Sequence, residues 1–238
     1  MTAISELPPH LLQPIHDAAG DIFEHSHVYE VVGGQNFDIM HRMPTFLVVA
    51  PHNGHTDSLA VRQAIPDDLQ SAVVFPAPKD HWKEPVRWIA SQLTVRTIEM
   101  ARDKSGPGAV ERGLKNIVAH MDLGFSAVVY AEGHRYPATM TIAERPFFPG
   151  IGCLIWWTEG KYPVIPIRLR GLEDMMPPGA IFPVMKDAMG EPKHTTVIVG
   201  QPMQFALPDN ADNMSWPQQK AWFVQTTHAI KERIISLE

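Results

Sequence analysis

The chain has 238 residues, 45% of them hydrophobic, which is enough to bury one substantial core. Its net charge of -6 argues against nucleic acid as the main partner, because such binders usually show a basic surplus or stripe. The single cysteine, Cys153, excludes an internal disulfide framework and suits a reducing compartment.

The first periodic segment, Leu11 to Phe23, reads as a helix interrupted by Gln13, Pro14, His16 and Asp17. Nothing before it has the basic start and apolar stretch of a signal peptide, and no run approaches the roughly 18 apolar residues of a membrane span. A cytoplasmic protein is expected, with peripheral attachment to the inner face of the membrane left open. Val28 to Val32 and Thr45 to Ala50 then read as strands, the second too continuously apolar to be buried on one face only.

Directly after the second strand stands Pro51-His52-Asn53-Gly54-His55-Thr56-Asp57. His52 precedes Asp57 by five residues, whereas side chains that meet on a regular helix lie three or four apart. For the two to meet, the chain must fold back between them. Asn53-Gly54 supplies the turn, since both residue types tolerate positive φ. Asp57 to Ala64 reads as the helix that follows. An imidazole oriented by a carboxylate is general-base machinery, and it would stand at the carboxyl end of a strand, where open α/β sheets place their sites. The plain alternative makes Asp57 or Thr56 an N-cap and His52 a hydrogen-bonded loop residue.

Ser71 to Phe75 reads as the next strand, followed by Lys79-Asp-His-Trp-Lys-Glu-Pro85 and a helix over Trp82 to Leu93. In that helix Trp82, Val86, Ile89 and Leu93 form an apolar stripe, with Trp88, Lys83 and Arg87 off it. Further strands are expected at Val95 to Ile98, Ala127 to Ala131, Val164 to Leu169 and Thr195 to Val199, and helices at Ala109 to Met121 and Ile151 to Thr158. Cys153 reads as a small buried hydrophobe beside Trp156 and Trp157. Gly171 to Pro192 reads as a long surface loop. Ser215 is the expected N-cap of a last amphipathic helix with Phe223, Ile230, Ile234 and Leu237 on one face. The alternation predicts a single-domain α/β fold with a mixed, mostly parallel sheet flanked by helices.

Four blocks, in order, carry a resemblance: His52 and Asp57; Val95 to Arg102; Val128-Val-Tyr-Ala-Glu132-Gly133-His134-Arg135; and Arg145-Pro-Phe-Phe-Pro-Gly150 leading to Tyr162-Pro-Val-Ile-Pro166-Ile167. Their order and spacing resemble the glycerolipid acyltransferase family, which includes the lysophosphatidate acyltransferases. The family's His-x4-Asp pair is matched by His52 and Asp57, and its strand-ending arginine by Arg102. Its Glu-Gly-x-Arg turn is matched by Glu132, Gly133 and Arg135, and its Val-Pro-type strand by Val164 to Ile167. On this resemblance residues 1–238 form one acyltransferase domain, with the motif core at about 28–171 and a C-terminal helix at about 215–237. Pro51, Ala131, His134 and Tyr136 stand where family members often have asparagine, proline, threonine and serine, which alters the acceptor side. The hydrophobic N-terminal helices common in the family have only Leu11 to Phe23 as a counterpart.

The resemblance implies an O-acyltransferase of the 1-acylglycerol-3-phosphate type. It would move a fatty acyl group from a thioester donor, acyl-CoA or acyl carrier protein, to a hydroxyl of a phosphorylated acceptor such as a lysophospholipid. No cofactor is implied beyond the donor. His52 is the expected base and Asp57 its orienting partner, with no acyl-enzyme because the motif places no nucleophile. The Asn53 and Gly54 amides are oxyanion candidates. Arg102 and Arg135 are expected to bind the acceptor phosphate, Glu132 to contact the acceptor or hold Arg135, and Lys79 to meet a phosphate. The apolar stripe of the Trp82 to Leu93 helix reads either as ordinary core packing or, through Trp88 and its basic neighbours, as a weak, salt-sensitive contact with an anionic membrane. Two alternatives compete. One is a metal-dependent hydrolase using His52, His55, Asp57 and His134, and the other a non-catalytic lipid-binding or acyl-carrier-binding module.

Overall fold

The computed structural model describes residues 9–43, 45–54, 56–78, 95–100, 108–136, 139–172, 175, 184, 186–187, 189–237. Lys79, the predicted helix at Trp82 to Leu93, Arg102 and His55 lie outside these residues.

The strands are β1 (Val28–Val32), β2 (Leu47–Ala50), β3 (Val73–Pro78), β4 (Thr97–Met100), β5 (Ser126–Tyr130), β6 (Val164–Arg170) and β7 (His194–Val199). The helices are α1 (Pro9–Ser26), α2 (Asp57–Ala64), α3 (Asp67–Gln70), α4 (Ala109–Asp122), α5 (Gly150–Trp157) and α6 (Trp216–Ile235). The strands form one 7-stranded sheet in the order β1-β7-β6-β2-β5-β3-β4. All neighbours run parallel except β6 and β7, where Ile167 faces Val199 in antiparallel register. The fold is therefore α/β with a mostly parallel sheet flanked by helices.

Strand β2 shows why its sequence is apolar throughout. Val48 and Ala50 point into one core with Phe23 of α1, Val61 of α2, Val128 and Ile165. Leu47 and Val49 point into the other with Ile117 of α4, Leu154 of α5 and Ile230 of α6. A central strand covered on both faces has no polar side to display. Gly152 permits a close approach of α5 to α6, because a Cβ there would lie 2.4 Å from the Phe223 backbone. Helix α6 begins at Ser215, whose backbone N–H donates to Gln218 Oε1 at 2.8 Å. Phe223, Ile230 and Ile234 are buried along it.

The expected surface loop after β6 is corrected at its start. Leu172 and Met175 are both 0% exposed and belong to the core beside β7, so the chain dips inward there before reaching the surface turn at Gly190. Cys153 is half-buried, packed against the core of α4, α5 and α6, and burial raises its thiol to about 11. Among the described residues no helix is long and apolar enough to cross a membrane.

Candidate active site

Sheet register assembles the site. Ala50 pairs with Tyr130 and Val49 with Pro166, so the parallel strands β2, β5 and β6 end along one edge. Strand β2 leads into Pro51-His52, β5 into Ala131-Glu132, and β6 arrives at Leu169. Two hydrogen bonds tie these ends together. His52 N–H donates to Glu132 Oε2 at 3.1 Å, and Asn53 Nδ2 donates to Leu169 O at 3.0 Å.

His52 Nδ1 lies 2.8 Å from Asp57 Oδ2. A carboxylate only accepts, so Nδ1 carries the proton and, in the neutral ring, Nε2 is left as the acceptor. The ring stacks on Tyr130, with centroids 4.4 Å apart and planes 15° apart, and Tyr130 OH is hydrogen-bonded to Ser58 Oγ at 2.9 Å. Burial, then the charge of Asp57, raises the Tyr130 phenol well above its ordinary range, so it serves as a neutral platform. His52 keeps 23% of its side chain exposed while Asp57 keeps none, which gives a reachable imidazole on a buried anchor.

The turn between the pair differs from the expectation in two respects. Neither Asn53 nor Gly54 adopts a positive φ. Gly54 is required for space, since a Cβ there would come 2.9 Å from Leu172 O. The backbone N–H of Asn53 donates to Asp57 Oδ2 at 2.7 Å, and that of Gly54 to both Asp57 oxygens at 2.8 Å. Each amide has one proton, and both are committed to the buried carboxylate, so the oxyanion expectation for Asn53 and Gly54 is corrected. Thr56 occupies the N-cap position of α2 without a side-chain cap bond.

Glu132 is fully buried, and its ionic partner is Arg145, with Nη1 3.6 Å from Oε1. Arg145 is itself 3% exposed and donates from Nη1 to Asn53 Oδ1 at 2.7 Å. Burial outweighs the His52 amide and Arg145 and lifts the Glu132 carboxyl to about 7. An acid whose folded value lies above its unfolded one is bound to its proton preferentially by the folded state. Stability is therefore lost as pH rises from about 4.5 to about 7. Glu132→Gln should remove that loss. Its stability relative to the native protein is predicted to improve by on the order of 2–3 kcal/mol between pH 5 and pH 8 in urea unfolding. An identical difference at both pH values would show that Glu132 does not titrate as described.

Gly133 turns the chain with φ +67, and Arg135 follows at the exposed surface. The His134 ring lies 4.3 Å from Tyr136 and 6.3 Å from Phe148, forming an aromatic rim beside Glu132. Among the described residues no group of three or more His, Cys, Asp or Glu side chains is placed to hold a metal ion. Sequence reasoning missed Tyr130, Ser58 and Arg145. Tyr130 carried a usable signal, since it ends the strand two residues before Glu132.

Compared by sequence, the chain matches no protein-family model and no curated protein. Compared by structure, it is similar to the crystal structure of the 1-acyl-sn-glycerophosphate (LPA) acyltransferase, PlsC, from Thermotoga maritima. The TM-score is 0.57 at 15% identity, covering 96% of this chain and 80% of that chain. At that identity the likeness establishes a shared fold.

Proposed function

We propose that residues 1–238 form one acyltransferase domain that moves an acyl group from a thioester donor, acyl-CoA or acyl carrier protein, to a hydroxyl of a phosphorylated acceptor such as a lysophospholipid. The observation that carries the reading is the His52–Asp57 pair, held at 2.8 Å at the carboxyl end of β2. The fold shared with the Thermotoga maritima acyltransferase supports it.

In this reading His52 Nε2 accepts the proton of the acceptor hydroxyl as its oxygen attacks the thioester carbonyl. Asp57 stabilises the imidazolium that forms. The tetrahedral intermediate then expels the thiolate, the C–S bond breaks, and the imidazolium returns its proton to sulfur. No protein nucleophile takes part. In this reading Arg135, exposed beside the Glu132-Gly133 turn, binds the acceptor phosphate, with Arg102 and Lys79 as further anion-binding candidates. The reading keeps the protein cytoplasmic, with peripheral contact at the inner face of the membrane left open, and needs no cofactor beyond the donor.

The test offers the purified protein a pool of acyl-CoA and acyl carrier protein thioesters with phosphorylated and unphosphorylated acceptors, and follows products by mass spectrometry. Acyl esters of phosphorylated acceptors, formed with equal release of thiol, are the expected result. Arg135→Ala should raise the acceptor KM, by the loss of a charge-assisted hydrogen bond of about 1.5–3 kcal/mol. Thiol release without an acylated acceptor would instead indicate a hydrolase. No thiol release at all would indicate a binding module.

A further inference from the structure

The turn that carries His52 and Asp57 is gripped at two consecutive residues, and one guanidinium lies behind both grips. The His52 N–H is held by Glu132 Oε2 at 3.1 Å, and the Asn53 side chain is held between Leu169 O at 3.0 Å and Arg145 Nη1 at 2.7 Å. The Asn53 amide fits in one orientation only, because a carbonyl only accepts and a guanidinium only donates. Arg145 also faces Glu132 Oε1 at 3.6 Å and donates from Nε to Met140 O at 2.9 Å. Its segment is anchored in turn by α6, since Lys231 Nζ donates to Ala143 O at 2.7 Å and to Arg145 O at 2.8 Å.

The electrostatics point the same way. Asp57 and Glu132 are both 0% exposed carboxyl groups, and the charge of Asp57 reaches Glu132. Arg145 is a buried cation beside Glu132, and a buried guanidinium is retained at such cost only where it is well partnered. The backbone of Asn53, fixed through its side chain, donates at 2.7 Å to the same Asp57 oxygen that receives His52 Nδ1–H. A shift of Asn53 therefore moves the acceptor on which the imidazole is aligned.

We propose that Arg145 is a positioning residue for the His52–Asp57 pair, holding the turn through Asn53 on one side and Glu132 on the other. This rests on the reading of His52 as the general base. Without the guanidinium, Asn53 Oδ1 loses the 2.7 Å bond from Arg145 and Glu132 loses the cation beside it. The turn is then free to relax, and a misplacement of about 1 Å can cost about 10²-fold in rate. Arg145 touches neither substrate in this arrangement, so the loss should fall on kcat and leave KM in place.

The experiment compares kcat and KM for Arg145→Met, Arg145→Lys, Asn53→Ala and the Arg145→Met/Asn53→Ala double variant, with His52→Ala in the same assay and folding followed by circular dichroism. Arg145→Met and Asn53→Ala are each expected to lower kcat by about 10²-fold at unchanged KM. The double variant should fall no further than the lower single one, because both remove the same tether. Native kcat in folded Arg145→Met, or fully multiplicative losses in the double variant, would overturn the proposal. If Arg145→Met does not fold, Arg145→Lys decides. It keeps the charge on a single nitrogen but loses the planar guanidinium, whose Nη1 meets Asn53 and Glu132 while its Nε donates to Met140 O, so native kcat there would also overturn it. Retained turnover in His52→Ala would bring down the general-base reading itself, whereas loss there beside native Arg145 variants removes only the positioning role.

Discussion

His52→Ala is expected to lower acyl transfer by about two to four orders of magnitude while the protein stays folded, the usual cost of losing a general base. The side chain is partly exposed at 23%, so its removal leaves no large buried void. What disappears is the proposed acceptor for the hydroxyl proton, together with the ring stacked at 4.4 Å on Tyr130. Asp57→Asn should retain slightly more activity than His52→Ala, because the imidazole survives but loses the charge that fixes its tautomer and stabilises the imidazolium. Steady-state kinetics on purified variants provides the check. Near-native turnover in folded His52→Ala would remove His52 from the chemistry.

The largest effect on stability is expected at the other half of the pair. Asp57→Ala is predicted to destabilise the fold by about 2–6 kcal/mol, since it strips two buried backbone donors of their acceptor at about 1–3 kcal/mol each. Those donors are the N–H groups of Asn53 and Gly54, bonded to the carboxylate at 2.7 and 2.8 Å. Asp57 is 0% exposed, so water does not readily replace it. Asp57→Asn, which keeps one carbonyl oxygen, should lose less. Urea unfolding of the native protein and both variants measures the difference. A change under about 1 kcal/mol in Asp57→Ala would mean that the turn rebuilds its bonds without the carboxylate.

The sequence patterns that located elements are those in which one physical cause dominates. Strand β1 falls on Val28–Val32 and helix α2 on Asp57–Ala64, the spans their side-chain patterns predict. The sheet's mixed but mostly parallel character follows from strands alternating with helices, and the single antiparallel neighbour pair, β6 with β7, is the mixed part. Leu172 and Met175 were hidden because proline and glycine dominate the segment around them, while their burial depends on what β7 brings alongside.

At the site, the encounter of His52 with Asp57 is legible because the residues are close in sequence and a turn lies between them. The role of Gly54 is not, because the atom that demands it, Leu172 O, belongs to a distant segment. The same holds for Arg145, which reaches Asn53 across 92 positions. No local pattern separates a buried guanidinium of this kind from a solvated loop arginine. The oxyanion expectation failed for a related reason. A turn of free amides looks available in the sequence, and only the folded chain shows that both N–H groups already donate to the buried Asp57 carboxylate.

The most direct measurement is a rapid-quench single turnover with one acyl thioester and its acceptor, reading the intact protein and the small molecules in the same samples. Direct transfer through His52 predicts that acylated acceptor and free thiol appear together, that no acyl group is ever found on the protein, and that both products form about two to four orders of magnitude more slowly in His52→Ala. A covalent acyl adduct forming and decaying on the path to product, or product formation undiminished in His52→Ala, would contradict the account.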